Sequence, residues 1–322
     1  MAIVQLGNEQ SQMTNIKTLV LIQGPTGVGK TELALRVAEH LGCPIINCDS
    51  RQIYREIPVG TAAPTAAEQA RVRHYFVGTH SVDEDYSAGQ YERDVLSLLD
   101  SVFKEHDVAI LTGGSMLYAD AVCKGLDDLP SVSPEVRDCV SHGFEQGGLA
   151  WLQDEVQRLD PDYWQIVDRQ NPARLRHCIE LSIVAGKPYS SLRTNNSKER
   201  PFRIVKVGLD RPRAELYARV NERVRQMMAD GFLEEAKAVY AKRKLNSLQT
   251  VGYKELFGYL DGDYDLERAI ELIQQNTRHY AKRQLTWLRR DKDIHWLDAR
   301  DEYEKNINYI DNLLRADSVQ QK

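Results

Sequence analysis

The chain has 322 residues, 42% of them hydrophobic and 28% charged, with a formal net charge of −5. That is enough chain for a sizeable core and two lobes, in a composition ordinary for a globular protein. The acidic balance excludes a global field that draws in nucleic acid, so any such surface must be local. Cys43, Cys48, Cys123, Cys139 and Cys178 are odd in number, scattered, and form no C-x-x-C. They argue against a disulfide framework and a structural zinc site, and for a reducing cytosol. No apolar run approaches the roughly 18 residues that span a bilayer. Residues Met1 to Met13 carry no Lys or Arg and no apolar block. They match neither a secretory nor a mitochondrial signal and read as a disordered lead-in, so a cytoplasmic protein is expected.

In chain order, the apolar run Leu19-Val20-Leu21-Ile22 reads as a strand and leads into Gly24-Pro25-Thr26-Gly27-Val28-Gly29-Lys30-Thr31. These eight residues fit G-x-x-x-x-G-K-T, the P-loop pattern, and a helical face of Leu33, Ala34, Val37, Ala38 and Leu41 follows. The motif requires that strand, loop and helix context. Its glycines let backbone N–H groups converge on phosphate oxygens at a helix start. Lys30 adds a point charge to the terminal phosphates, and the Thr31 hydroxyl is a candidate ligand for Mg²⁺. The loop specifies a diphosphate or triphosphate, not the molecule that carries it.

Pro44 to Cys48 reads as a short buried strand ending at Asp49, and His74 to Val77 as a third strand. Residues 87–105 read as a helix and Asp107 to Thr112 as a fourth strand, which runs into Gly113-Gly114-Ser115. Such alternation predicts an α/β fold, a P-loop NTPase-like parallel sheet flanked by helices. The P-loop, Asp49 and Gly113-Gly114-Ser115 all follow strands, so they are expected to face one crevice. Past Leu129-Pro130-Ser131 the character changes. Residues 131–199 hold amphipathic helical pieces and polar breaks but no good strand, which predicts an all-helical insertion in a core of residues 14–130 and 200–316. Arg203 to Leu209 returns as a strand, helices follow at about 213–230 and 231–243, and a long helix covers about 265–290.

Two basic stretches stand out. Residues 278–292 contain Arg278, Lys282, Arg283, Arg289, Arg290 and Lys292 against Asp291 alone, with His279, Tyr280 and Trp287 interleaved. Residues 211–254 carry ten Lys or Arg against five Asp or Glu. Each fits either a solvated face or a groove for a phosphate backbone with aromatics for stacking.

P-loop NTPases hold Mg²⁺ through an Asp at the end of a second apolar strand. Here the strand ending at Thr112 carries no carboxylate, and the well-placed acid is Asp49. It fits a metal ligand, a general base toward an incoming nucleophile, or a cap for the next turn. The Ser115 hydroxyl can bond a leaving oxygen. Together these features suggest either group transfer from a diphosphate ester or a kinase.

Five motifs in register carry a more specific likeness: G-P-T-G-V-G-K-T, D-S-R-Q-I-Y, V-G-T-A-A-P, T-G-G-S-M-L-Y and A-K-R-Q-L-T-W-L-R. From about Lys17 to about Leu297 the chain resembles the bacterial tRNA dimethylallyltransferases, also called tRNA isopentenyltransferases. The resemblance implies transfer of a dimethylallyl group from dimethylallyl diphosphate to the exocyclic amine of the adenosine just 3′ of the anticodon. It implies that the P-loop, Gly24, Pro25, Thr26, Gly27, Val28, Gly29, Lys30 and Thr31, grips the donor's diphosphate together with Arg223. Asp49 matches the family's general base. Ser115 matches a position usually Thr, which bonds the bridging oxygen of the leaving group. Segments that match tRNA contacts are Asp49, Ser50, Arg51 and Gln52; Ser115; Arg137; and Ala173, Arg174, Leu175, Arg176 and His177. They continue with Gln249, Thr250, Val251, Gly252, Tyr253 and Lys254, and with Lys282, Arg283, Gln284, Leu285, Thr286, Trp287, Leu288 and Arg289. The implied cofactor is Mg²⁺, and the implied partners are dimethylallyl diphosphate and a tRNA anticodon stem–loop. A monomer with no membrane association is expected. The alternatives are a small-molecule P-loop kinase and an adenylate isopentenyltransferase acting on free AMP or ATP.

Overall fold

A computed structural model of the chain describes residues 16–194 and 196–316. The expected lead-in at residues 1–13 lies outside them. The chain divides into two compact units, Lys124–Glu199 and the residues on either side of that segment.

The larger unit begins with β1 (Thr18–Gln23), all of whose residues are buried. Burial on both faces is what a central parallel strand undergoes, which is why its sequence is an unbroken apolar run. Next come α1 (Lys30–Leu41), β2 (Ile45–Asn47), α2 (Ala66–Arg71), β3 (His74–Tyr75), α3 (Ala88–Glu105), β4 (Val108–Thr112) and α4 (Met116–Lys124). The smaller unit holds α5 (Pro134–Leu159), α6 (Pro161–Trp164) and α7 (Pro172–Ala185). The larger unit resumes with β5 (Arg203–Asp210), α8 (Arg213–Ala229), α9 (Phe232–Val239), α10 (Tyr253–Asp261), α11 (Leu266–Leu288), β6 (His295–Asp298) and α12 (Tyr303–Ala316). The short α2, α4 and α10, together with β6 and α12, are additions to the elements expected from sequence.

The sheet has six strands in the order β3-β2-β4-β1-β5-β6, and every neighbouring pair is parallel. Ile22 and Asn47 both pair with Thr112, and Gln23 pairs with Gly208. The carboxyl ends of four strands are therefore level, and the loops that leave them gather along one edge. One face of the sheet packs on α1 and α12, through Leu33, Val37 and Ile310. The other packs on α3 and α4, through Tyr91, Val95, Leu99 and Val122. A third cluster joins α8, α9, α10 and α11 to Ile53 and Ile57, the residues that follow Asp49. This cluster fixes α11 over the edge where the loops gather.

Where the chain re-enters the larger unit, Arg200 bonds Glu92 at 2.8 Å and the carbonyls of Val122 and Ala121 at 2.8 Å each. Both charged side chains are under 10% exposed. This pair ties the return strand to α3 and α4.

In the smaller unit, α5 is broken at Gly148, whose φ of 62° and ψ of −154° are not helical. A buried core of Val140, Leu152, Val156, Leu175, Cys178 and Ile179 holds its helices together. The fully buried Asp160 caps α6 through Tyr163 N–H at 2.9 Å and accepts the Ser190 hydroxyl at 2.7 Å. None of its helices, nor any other among the described residues, is long and apolar enough to cross a membrane.

Candidate active site

The P-loop leaves β1 and turns into α1 at Gly29, which has φ of +118°. A side chain is strained there, so glycine is needed to turn the loop's N–H groups toward the start of α1. The loop residues Thr26, Lys30 and Thr31 line a cleft with Asp49, Gln52, Thr61, Gly114, Arg223, Tyr280 and Gln284. Its enclosed volume is about 80 Å³. That is below the range of about 300 Å³ upward typical of ligand pockets, so the cleft is narrow.

Lys30 is held to the loop itself. Its ammonium donates to the carbonyl oxygens of Gly24 at 2.9 Å and Pro25 at 3.0 Å. Burial and the nearby Arg223 charge push its pKa down from 10.5 to about 8, against the pull of Asp49. Arg223 is itself pushed down, first by burial and then by Arg219, while Asp49 and Glu68 oppose the shift. Two partly buried cations side by side make a site for a multiply charged anion.

Asp49 ends the segment after β2. Its Oδ1 accepts the Arg51 N–H at 2.9 Å and the Gln52 N–H at 3.4 Å, a local turn of the kind Asp favours. Its Oδ2 accepts no hydrogen bond among the described residues, and it faces Gly114, where a Cβ would lie 2.6 Å away. Gly114 thus permits the strand-end loop to pass beside the carboxylate. One oxygen orients the group and the other remains available to take a proton.

Gln284 closes the cleft from α11. It is 1% exposed, its Oε1 accepts the Thr26 N–H at 2.8 Å, and its Nε2 donates to the Gly114 carbonyl at 2.8 Å. The Tyr280 hydroxyl donates to the same carbonyl at 2.9 Å. One helix therefore braces the P-loop against the loop after β4. The expected crevice joins the P-loop, Asp49 and Gly114, but Ser115 does not line it. The Ser115 hydroxyl accepts the Ser50 N–H and donates to the Ser50 Oγ, both at 2.8 Å.

The Thr31 hydroxyl has no protein hydrogen bond among the described residues, and Thr31 is exposed in the cleft. No group of three or more His, Cys, Asp or Glu able to hold a metal ion occurs among the described residues. The donor set therefore fits a cation held mainly by phosphate and water, with one or two protein oxygens.

Of the residues in the stretches expected at RNA, Gln249, Lys254, Lys282, Arg283, Thr286, Trp287 and Arg289 are exposed. Gly252, Tyr253, Gln284 and Leu288 are buried and serve as scaffold. Tyr253 is fully buried, and its hydroxyl donates to Glu235. In the helical unit Arg137, Ala173, Arg174 and His177 are exposed and Leu175 is buried, while Arg176 lies 4.2 Å over the Phe144 ring. Sequence reasoning missed Glu235. Its two oxygens take the Val59 and Gly60 N–H groups at 2.7 Å each, and so shape the loop that carries Thr61 into the cleft.

Likeness to known proteins decides the family. The IPP transferase family model matches residues 52–291. The chain belongs to the IPP transferase family. A tRNA dimethylallyltransferase 1 of Bacteroides fragilis is 54% identical over 89% of this chain and 96% of its own length. A tRNA dimethylallyltransferase of Flavobacterium johnsoniae is 41% identical over 94% of this chain and 99% of its own. Among solved structures, the tRNA isopentenylpyrophosphate transferase of Bacillus halodurans is 32% identical with a TM-score of 0.69, covering 95% of this chain and 97% of that one. A eukaryotic dimethylallyltransferase captured acting on tRNA shares the fold, with a TM-score of 0.76 at 23% identity and coverage of 95% and 80%. In this IPP transferase, the six-stranded parallel sheet and its helices are the fold of those neighbours.

Proposed function

We propose that this chain is a tRNA dimethylallyltransferase. It moves the five-carbon group of dimethylallyl diphosphate to the exocyclic amine of the adenosine just 3′ of the anticodon, and releases diphosphate. The observation that carries the reading is the convergence of Lys30 and Arg223 on one cleft at the P-loop, with Asp49 across from them. Two cations and a run of backbone N–H groups suit a diphosphate, and a carboxylate with one open oxygen suits an amine that must lose a proton.

The N–H groups of Gly27, Val28, Gly29, Lys30 and Thr31 cradle the diphosphate oxygens, while Gly24, Pro25 and Thr26 form the rest of the loop. A phosphate oxygen replaces the carbonyls of Gly24 and Pro25 as the acceptor for Lys30. Arg223 takes a share of the charge that develops as the carbon–oxygen bond breaks. The Thr31 hydroxyl is the protein group that would hold Mg²⁺ with the diphosphate. When bound, the ion spreads the leaving group's charge. The adenine leaves its stack to enter the cleft. Its amine is a weak nucleophile, so alignment and transfer of its proton to Asp49 Oδ2 matter most. Ser115 serves the bridging oxygen if its hydroxyl turns away from Ser50.

RNA is held by the exposed residues of the stretches named above and by the helical insertion at residues 131–199. The protein works as a monomer in the cytoplasm. Incubation with dimethylallyl diphosphate and tRNA, and separately with ATP, tests the reading. Diphosphate is expected only from the first mixture, and only with tRNA present. Turnover of ATP without tRNA would point instead to a kinase.

A further inference from the structure

A cavity of about 750 Å³ opens between the start of α8, the ends of β5 and β6, and the last turns of α11. It shares no lining residue with the cleft of Lys30 and Asp49. Four cations line it, Arg211, Arg213, Lys282 and Arg289, against two acids, Asp210 and Asp298. Both acids are already paired within the protein, Asp210 with Arg289 at 3.0 Å and Asp298 with Arg300 at 2.6 Å. Neither Arg213 nor Lys282 has a carboxylate partner among the described residues. Arg211 is paired with Glu215 at 3.2 Å and donates to the Ala299 carbonyl at 2.7 Å, while its Nε is buried with no hydrogen-bond acceptor, so the uncompensated charge of the cavity is that of Arg213 and Lys282. Beside Arg211, α8, 17 residues long, starts after Pro212 with no side-chain cap, so its first N–H groups lack partners too. Two rings complete the wall. Tyr217 carries the Arg213 guanidinium 5.0 Å from its centroid. Trp296 stays 37% exposed, and its ring lies so close over Gly208 that a Cβ there would come within 2.9 Å.

We propose that this cavity binds a nucleotide of the RNA substrate other than the reacting adenosine. Its phosphate lies among Arg211, Arg213, Lys282 and the start of α8, and its base lies against Trp296. The inference rests on the tRNA reading above. Phosphate contacts fix register and a ring takes any base face, so the site anchors the strand without reading its sequence. It also accounts for α11. Lys282 and Arg289 face this cavity, while Tyr280 and Gln284 of the same helix hold Gly114 and Thr26 in the cleft. RNA seated here is thereby set in register with the reaction centre.

Fluorescence anisotropy of a labelled anticodon stem–loop, titrated with the full chain across a salt series, tests this. Arg213→Ala is expected to weaken binding about three- to tenfold and to reduce the log–log salt slope by about one. Trp296→Ala is expected to weaken it about five- to a hundredfold with the slope unchanged. Trp296→Phe keeps a ring and is expected to recover most of the loss, which a merely misfolded variant would not. Arg225→Ala removes an exposed charge elsewhere on α8, paired to Glu222 at 2.9 Å, and is expected to change nothing. Affinity within twofold of the parent for both Arg213→Ala and Trp296→Ala overturns the proposal. So does competition by free AMP with RNA binding intact in those variants, because the cavity then serves a free nucleotide. Prenylation of the same RNA by the unaltered protein is measured alongside. Its failure would count against the enzyme reading and leave the binding result to decide this one.

Discussion

Arg223 and Lys30 line one cleft as like charges, and the Arg223 charge is, after burial, the second reason that Lys30 gives up its proton near pH 8. An unfolded lysine holds its proton to about 10.4. Between pH 8 and 10.5 the unfolded chain thus binds more protons than the folded one, so the stability of the free protein rises with pH across that window. Keeping the ammonium charged at neutral pH costs about 3 kcal/mol, offset in part by its bonds to the loop carbonyls. Lys30→Met is expected to stabilise the free protein at pH 7 by about 1–2 kcal/mol while weakening its binding of inorganic pyrophosphate. Chemical denaturation and calorimetric titration measure the two effects. A destabilised variant with unchanged pyrophosphate affinity would show that the charge belongs to the fold rather than to the site.

Asp49→Asn keeps an oxygen for the Arg51 and Gln52 N–H groups and removes the proton acceptor. Single-turnover prenylation is expected to slow about 10²- to 10⁴-fold, with affinity for the stem–loop within about twofold. A normal rate would remove Asp49 from the proton transfer.

Gln284 is a positioning residue, and its three variants separate its two bonds. Gln284→Glu retains an acceptor for Thr26 but sets an oxygen against the Gly114 carbonyl. Gln284→Leu loses both bonds and leaves the Thr26 N–H unpaired, at about 1–3 kcal/mol, while the Gly114 carbonyl keeps its bond from Tyr280. Both variants are expected to raise KM for the prenyl diphosphate and lower kcat. Gln284→Met fills the same space without the bonds, so if it is as active as the parent, the brace has no part in the reaction.

The pair of Arg200 and Glu92 is under 10% exposed on both sides. Removing either partner leaves the other charge buried without this counter-charge, so Glu92→Ala or Arg200→Ala is expected to cost about 3–5 kcal/mol in urea denaturation. The double replacement should lose less than the sum of the two.

Lys282 on α11 and Arg289, the residue that follows the helix, are exposed. Their joint replacement by alanine is expected to raise KM for tRNA and to flatten its salt dependence, by about 0.7 to 0.9 in log–log slope for each phosphate that is no longer neutralised. Steady-state rates at several salt concentrations test it, and an unchanged slope would mark the helix as a solvated surface.

The central strands were legible because β1 and β4 are buried on both faces and read as apolar runs. The P-loop was legible because glycine, lysine and threonine occur at fixed spacing between a strand and a helix. β6 was not, because it is a four-residue edge strand whose first two residues are exposed. α12 has Ile307, Ile310, Leu313 and Leu314 at helical spacing, but only Ile310 of these is fully buried, so its apolar stripe competes with many charges. The inward course of Gln284 did leave a signal. It falls on the stripe of Ala281 and Leu288, where a polar residue implies buried partners. Which partners it finds depends on loops distant in sequence, and periodicity carries no information about those. The Arg211 and Trp296 cavity was equally hidden, because its walls come from three separated stretches.

The most direct test is mass spectrometry of nucleosides from tRNA incubated with the protein, Mg²⁺ and dimethylallyl diphosphate. One adenosine per susceptible tRNA, just 3′ of the anticodon, is expected to gain a single five-carbon unit. Unmodified tRNA alongside prenylated free AMP, or alongside stoichiometric loss of ATP, would contradict the assignment.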